Sequence, residues 1–132
     1  KTEFILAMVK IKKATAVANY KAGNLPQNVK NMIVKVCDEI LKGKYENQFP
    51  LGALQGGAGT AINMNVNEVI ANLATEILKS KTIVHPNDHV NNSQSTNDVN
   101  PSALRIAVYF LLKGKMEHIP QLQNGIQQFY SL

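Results

Sequence analysis

Within "NLPQNVKNMIVKVCDEILKGKY" the apolar side chains Val29, Met32, Ile33, Val36, Cys37, Ile40 and Leu41 recur at steps of three and four. That spacing gathers them on one face of a helix but scatters them over both faces of a strand. A helix is therefore the element that buries them together. Pro26 near its start and Gly43 near its end are residues suited to helix boundaries. The same period returns in "FILAMVKIKKATAVANY", through Phe4, Ile5, Met8, Val9, Ile11, Ala16 and Tyr20. It returns again in "NMNVNEVIANLATEILK", through Val66, Val69, Ile70, Leu73, Ile77 and Leu78, where Asn65 and Glu68 have capping-box spacing. "SALRIAVYFLLKGKMEHIPQLQNGIQQFY" resumes the helical period, with breaks expected at Gly114 and Pro120. The chain is expected to be all-α, and no internal repeat interrupts it.

With 132 residues, 45% of them hydrophobic, the chain can bury a core of its own. Its one cysteine, Cys37, lies among apolar neighbours, so an internal disulfide is impossible and a buried free thiol in a reducing, cytoplasmic setting is expected. No stretch approaches the roughly 18 apolar residues of a membrane span, and no membrane partner is expected. The net charge of +5 raises nucleic-acid binding as an alternative. Its texture is wrong for that role: 13 lysines stand against one arginine, Arg105, with no tryptophan and 6% aromatics. The lysines before Phe49, Lys12 among them, are spread along two helical segments and read as solvated faces. No nucleic-acid partner is expected.

Two polar loops carry the chemistry. "ENQFPLGALQGGAGT" holds Gly52, Gly56, Gly57 and Gly59, and its glycine turn precedes a helix, where bare backbone N–H groups and the helix dipole favour an anion. Thr60 adds a hydroxyl donor. No Lys-Ser or Lys-Thr follows as a phosphate loop requires, and no strand precedes as a dinucleotide fingerprint requires. The second loop, "HPNDHVNNSQSTNDVNP", has five Asn in 17 residues and leads into a helix expected to begin near Ser102. His85 and His89 stand four apart with Asp88 and Asp98 nearby, but the zinc-protease signature is missing and no metal site is expected. Ser93 and Ser95 lack a nucleophile elbow. Of 15 Asn, nine fall between Asn63 and Asn100, either supporting irregular loops or lining a site for a small polar ligand.

"QGGAGTAINMNVNEVIANLA" and "HPNDHVNNSQSTNDVNPSALRIA" resemble the first two signature regions of the aspartase/fumarase superfamily. "MVKIKKATAVAN", "CDEILKGKYENQFPL" and "RIAVYFLL" extend the resemblance over nearly the whole chain. Ala58 in the glycine turn and His89 side with the aspartase branch, where fumarases tend to have Ser and Asp. The resemblance implies an anti elimination that converts L-aspartate to fumarate and ammonia without a cofactor, with fumarate hydration as the alternative. It implies a substrate-binding set of Thr60, Ser95, Thr96 and Asn97, and an accessory ligand site at His85, Asn87 and Asp88. It also implies a homotetramer built on long helices, with an amino-terminal helical domain at 1–100 and the start of the central bundle at 101–132. The family's general base is a serine on a "GSSxMPxK" loop, which none of these residues match, so the chain is expected to be an inactive amino-terminal fragment of a longer enzyme. A non-catalytic helical module is the remaining alternative. Gly52, Ile62, Asn92 and Asn100 depart from the family pattern, which bears on specificity.

Overall fold

The computed structural model describes residues 2–50, 59–78 and 82–116, together with 124, 127 and 128. Among the described residues lie the helices α1 (Thr2–Lys21), α2 (Gln27–Leu41), α3 (Thr60–Leu78) and α4 (Thr96–Met116). A 3-10 turn at Glu46–Gln48 and a single π-turn at Pro86–Val90 sit in the connections, and no strand occurs among the described residues. The all-α expectation holds. α1 is the central element, packed against α2 and α4 and touching α3, while α2 closes on α3.

The α2 stripe is buried as its spacing requires, with Val29, Ile33, Val36, Cys37 and Ile40 inside and Met32 and Leu41 packed at the margin. Each such aliphatic side chain contributes about 1.5–3 kcal/mol when fully removed from water. Pro26, extended at φ −63 and ψ 148, precedes the helix. Gly43 ends it at φ 87, a left-handed turn that a residue without a Cβ adopts freely. α3 buries Val66, Val69, Ile70, Ala71 and Ala74, and Leu73 and Ile77 pack against that core.

α1 is enclosed on more sides than its stripe predicts. Besides Ile5, Met8, Val9 and Ala16 it buries Ala7, Lys12 and Asn19, whereas Tyr20 stays exposed. Lys12 is thus no solvated lysine, because helices cover α1 from several directions and leave it no fully polar face.

Two helix starts also differ from the sequence reading. α3 begins at Thr60, ahead of the Asn65–Glu68 spacing, and Asn65 Nδ2 instead donates to the Gln48 carbonyl at 3.4 Å. α4 begins at Thr96 rather than near Ser102. The Ser95 carbonyl accepts the N–H groups of Asp98 at 3.1 Å and Val99 at 3.0 Å, and Ser95 Oγ accepts that of Asn97 at 3.2 Å. Serine at this position satisfies donors that an uncapped helix leaves open, so the helix can nucleate before Pro101. Pro101 then sits inside α4, which continues unbroken past position 100 and through Gly114. Pro120, Ile119 and Leu122 lie outside the described residues, as do Gly52, Gly56, Gly57 and Ala58.

Candidate functional site

Both signature regions contain the first residue of a long helix. Thr60 opens α3 and Thr96 opens α4. Gly59 makes the first start possible, with φ 85 and its carbonyl accepting the Asn63 N–H at 3.0 Å. The second start lies against the first. A Cβ on Gly59 would run into the side-chain amide of Asn100, so only glycine lets the two helices approach this closely. One turn into α3, Asn63 Nδ2 donates to Thr96 Oγ1 at 3.2 Å.

Those contacts bring two positive helix ends to one place. A helix start carries roughly half a unit of positive charge and unpaired N–H groups, so two of them side by side favour an anion with more than one carboxylate. Beside Thr96 is a cleft of about 320 Å³ lined by Phe4, Thr96, Asn97, Asn100, Pro101 and Leu104. Because the Thr96 oxygen already accepts from Asn63, its hydroxyl proton is left to donate elsewhere. Pro101 has no N–H to give the Asn97 carbonyl, the acceptor it would meet in an ordinary helix.

Among the residues singled out by sequence, Thr96 and Asn97 line this cleft. Thr60 is exposed at the neighbouring helix start, and Ser95, also exposed, caps α4 by accepting the Asn97 N–H on its Oγ. Asn92 Nδ2 donates to the Asn24 carbonyl at 3.3 Å and so supports the loop. Ser93, at φ 57, donates to Asn92 Oδ1 at 2.8 Å.

The histidines serve the backbone of the π-turn. His85 Nδ1 accepts the N–H groups of Asn87 at 3.3 Å and Asp88 at 3.2 Å, while the His85 N–H donates to His89 Nδ1 at 2.8 Å. Asp88 Oδ2 also lies 3.3 Å from His85 Nδ1. His85, Asn87 and Asp88 are all exposed. Among the described residues no group of three or more His, Cys, Asp or Glu side chains is placed to hold a metal ion.

What the sequence reading missed is the polar cluster beneath the loops. Asn63 and Asn67 are buried in α3, and both send Nδ2 to Asn91 Oδ1, at 3.3 and 3.2 Å. Lys12 of α1 reaches the same oxygen at 2.8 Å and Gln94 Oε1 at 2.9 Å. Burial pulls the Lys12 pKa down to about 8, with the nearby Cys37 acting in the opposite direction. The helical offset of Asn63 and Asn67, in register with the buried Ile70 and Ala74, was the available signal.

Comparison with known proteins agrees with this architecture. The family profile described as "Lyase" matches residues 1–129. Aspartate ammonia-lyase of Escherichia coli strain K12 is 46% identical over 131 residues, which are 96% of this chain and 27% of that protein. The class II fumarate hydratase of Chlamydia pneumoniae is 52% identical over 129 residues, 95% of this chain and 28% of its own length. Among solved structures, the fumarate lyase:delta crystallin of Brucella melitensis superimposes with a TM-score of 0.79 at 48% identity, covering 83% of this chain and 26% of that one. The chain thus spans 27% of the first of these curated relatives and 28% of the second. Two signature regions on two adjoining helix starts, in a helical fold that these relatives share, mean that the chain belongs to the aspartase/fumarase superfamily of lyases.

Proposed function

We propose that this chain supplies the dicarboxylate-binding wall of an ammonia-lyase that eliminates ammonia from L-aspartate to give fumarate. The observation that carries the reading is the Asn63 to Thr96 hydrogen bond, which joins two helix starts and leaves a hydroxyl proton beside the cleft. Loss of the proton next to the side-chain carboxylate builds a dianionic aci-carboxylate. Donors already fixed in place stabilise that charge more than they stabilise the substrate, which lowers the barrier. Thr60, Ser95, Thr96 and Asn97 hold the carboxylates and the amino group, and Ser95 Oγ also caps the α4 start. No cofactor enters the reaction.

Residues 1–100 are the amino-terminal domain, and 101–132 begin a helical bundle shared by four subunits. Half-exposed Leu104, Val108 and Leu111 give α4 the apolar surface that such a bundle covers. His85, Asn87 and Asp88 form an accessory ligand site at the surface. The general base lies on a segment other than these residues, so the 132-residue chain alone is inactive. The cytoplasm, where the thiol of Cys37 stays reduced, is its compartment. Fumarate hydration is the second reading, favoured by the 52% identity to a class II fumarate hydratase.

Ultraviolet absorbance of fumarate, followed with the full-length protein that carries this chain, tests the assignment. Fumarate and equimolar ammonia from L-aspartate are expected. Fumarate from L-malate alone would move the assignment to a hydratase, and fumarate from neither would leave a non-catalytic helical module.

A further inference from the structure

Lys12 is the one lysine of α1 with no exposed surface, 0% by area, and the groups around it are unusual for a buried cation. Its two hydrogen-bond acceptors are neutral amides, Asn91 Oδ1 and Gln94 Oε1, and no salt bridge to it is formed among the described residues. The titratable group facing it is the Cys37 thiol of α2; the adjacent Lys13 is engaged with Asp38 at 2.6 Å. A buried ammonium without a counter-ion costs stability, which a methionine of similar length in the same space would avoid. Structural filling alone does not account for the charge.

The bonds made by Lys12 lead to the cleft. Asn91 Nδ2 donates to the Gln94 carbonyl at 3.1 Å, and Gln94 Nε2 donates to the Val90 and Asn92 carbonyls at 2.9 and 3.1 Å, so the ammonium clamps a turn already cross-tied. Asn91 Oδ1, fixed by Lys12, receives Asn63 Nδ2, and the same nitrogen reaches Thr96 Oγ1. A line of contacts thus runs from Lys12 through Asn91 and Asn63 to Thr96.

Resting on the proposed dicarboxylate site, we propose that Lys12 is a positioning residue of that site: its ammonium holds Asn91, and through Asn63 it fixes the Thr96 hydroxyl as a donor toward a substrate carboxylate. Lys12 touches no substrate. The charge serves this end, since a charge-assisted bond grips the amide oxygen more firmly than a neutral one.

The test uses the full-length protein with succinate, a dicarboxylate that cannot react, as the probe. Lys12→Met is expected to weaken succinate inhibition about ten- to hundredfold, as loss of a hydrogen bond to a charged group would. In a Thr96→Ala background the same substitution should have little further effect, because Lys12 acts through Thr96. Equal effects in both backgrounds, or none in either, would overturn the proposal. A protein that turns over neither aspartate nor malate would defeat the functional reading instead, and amide hydrogen exchange then decides the positioning role by itself. Exchange across residues 91–97 should quicken in Lys12→Met while α2 stays protected, and unchanged exchange would refute the role. If the variant does not fold, the unsubstituted protein suffices. Succinate inhibition should weaken, and the Lys12 side-chain signal titrate, as pH rises through about 8, well below the range near 12 in which Cys37 ionises. A flat profile there would count against it.

Discussion

Replacing Gly59 by alanine isolates the contact that holds the two helix starts together. Two costs arise, and they separate experimentally. At φ 85 an L-residue is in the left-handed region, which costs about 1–2 kcal/mol, less about 0.4–1 kcal/mol recovered because alanine stiffens the unfolded chain. The new methyl would also occupy the space of the Asn100 amide, and that half-buried side chain must swing away from the helix junction. Overpacking of this kind costs about 1–3 kcal/mol. Gly59→Ala should therefore destabilise the chain by roughly 2–4 kcal/mol, whereas in an Asn100→Ala background only the backbone cost of roughly 1 kcal/mol remains. Urea denaturation of the four proteins in the cycle, followed by circular dichroism, gives the coupling directly. A coupling energy of roughly 1–3 kcal/mol is expected, and equal costs in the two backgrounds, within about 0.5 kcal/mol, would refute the close approach.

Two further outcomes follow from the buried titratable groups. The folded-state pKa of Lys12 is lowered from 10.5 to about 8, so between those values the unfolded chain binds more protons and stability rises with pH. Relative to Lys12→Met, the wild type should gain roughly 2–3 kcal/mol between about pH 7 and about pH 10, and a pH-independent difference would show that the ammonium is not buried. Cys37, raised by burial to about 12, opposes this trend above its ordinary value of 9.0 and is shared by both proteins apart from its coupling to Lys12. The same displacement should make native Cys37 react with iodoacetamide at least about a thousandfold more slowly than the urea-unfolded chain, and comparable rates would contradict a closed core around it.

How much of this was legible in the sequence depends on whether a local or a distant cause governed each feature. The α2 stripe was legible because seven apolar residues at helical spacing leave one solution, and the core of α3 followed for the same reason. Glycine and hydroxyl residues at 59–60 and 95–96 marked two loops with polar work to do. The exact helix starts were not legible. Pro101 and the Asn65–Glu68 spacing are strong local signals, and a serine cap at Ser95 and a left-handed Gly59 displaced both. Lys12 was invisible for a different reason. Nothing nearby distinguishes it from Lys10 or Lys13, and its burial depends on amides 79 and 82 residues away.

α4 has Thr96 at its first position and half-exposed Leu104, Val108 and Leu111 farther along. A helix advances about 1.5 Å per residue, so the rod from Thr96 to Leu111 extends about 22 Å and transmits a tilt at one end to the other. Where a ligand in the cleft tilts α4, whatever packs on that apolar surface gains or loses free energy with it. The relation is reciprocal: packing on that surface must alter the affinity of the cleft for its ligand by the same factor. Ligand affinity measured on this chain would then vary with protein concentration wherever the packing partner is another copy, and the slope of that dependence would measure the coupling.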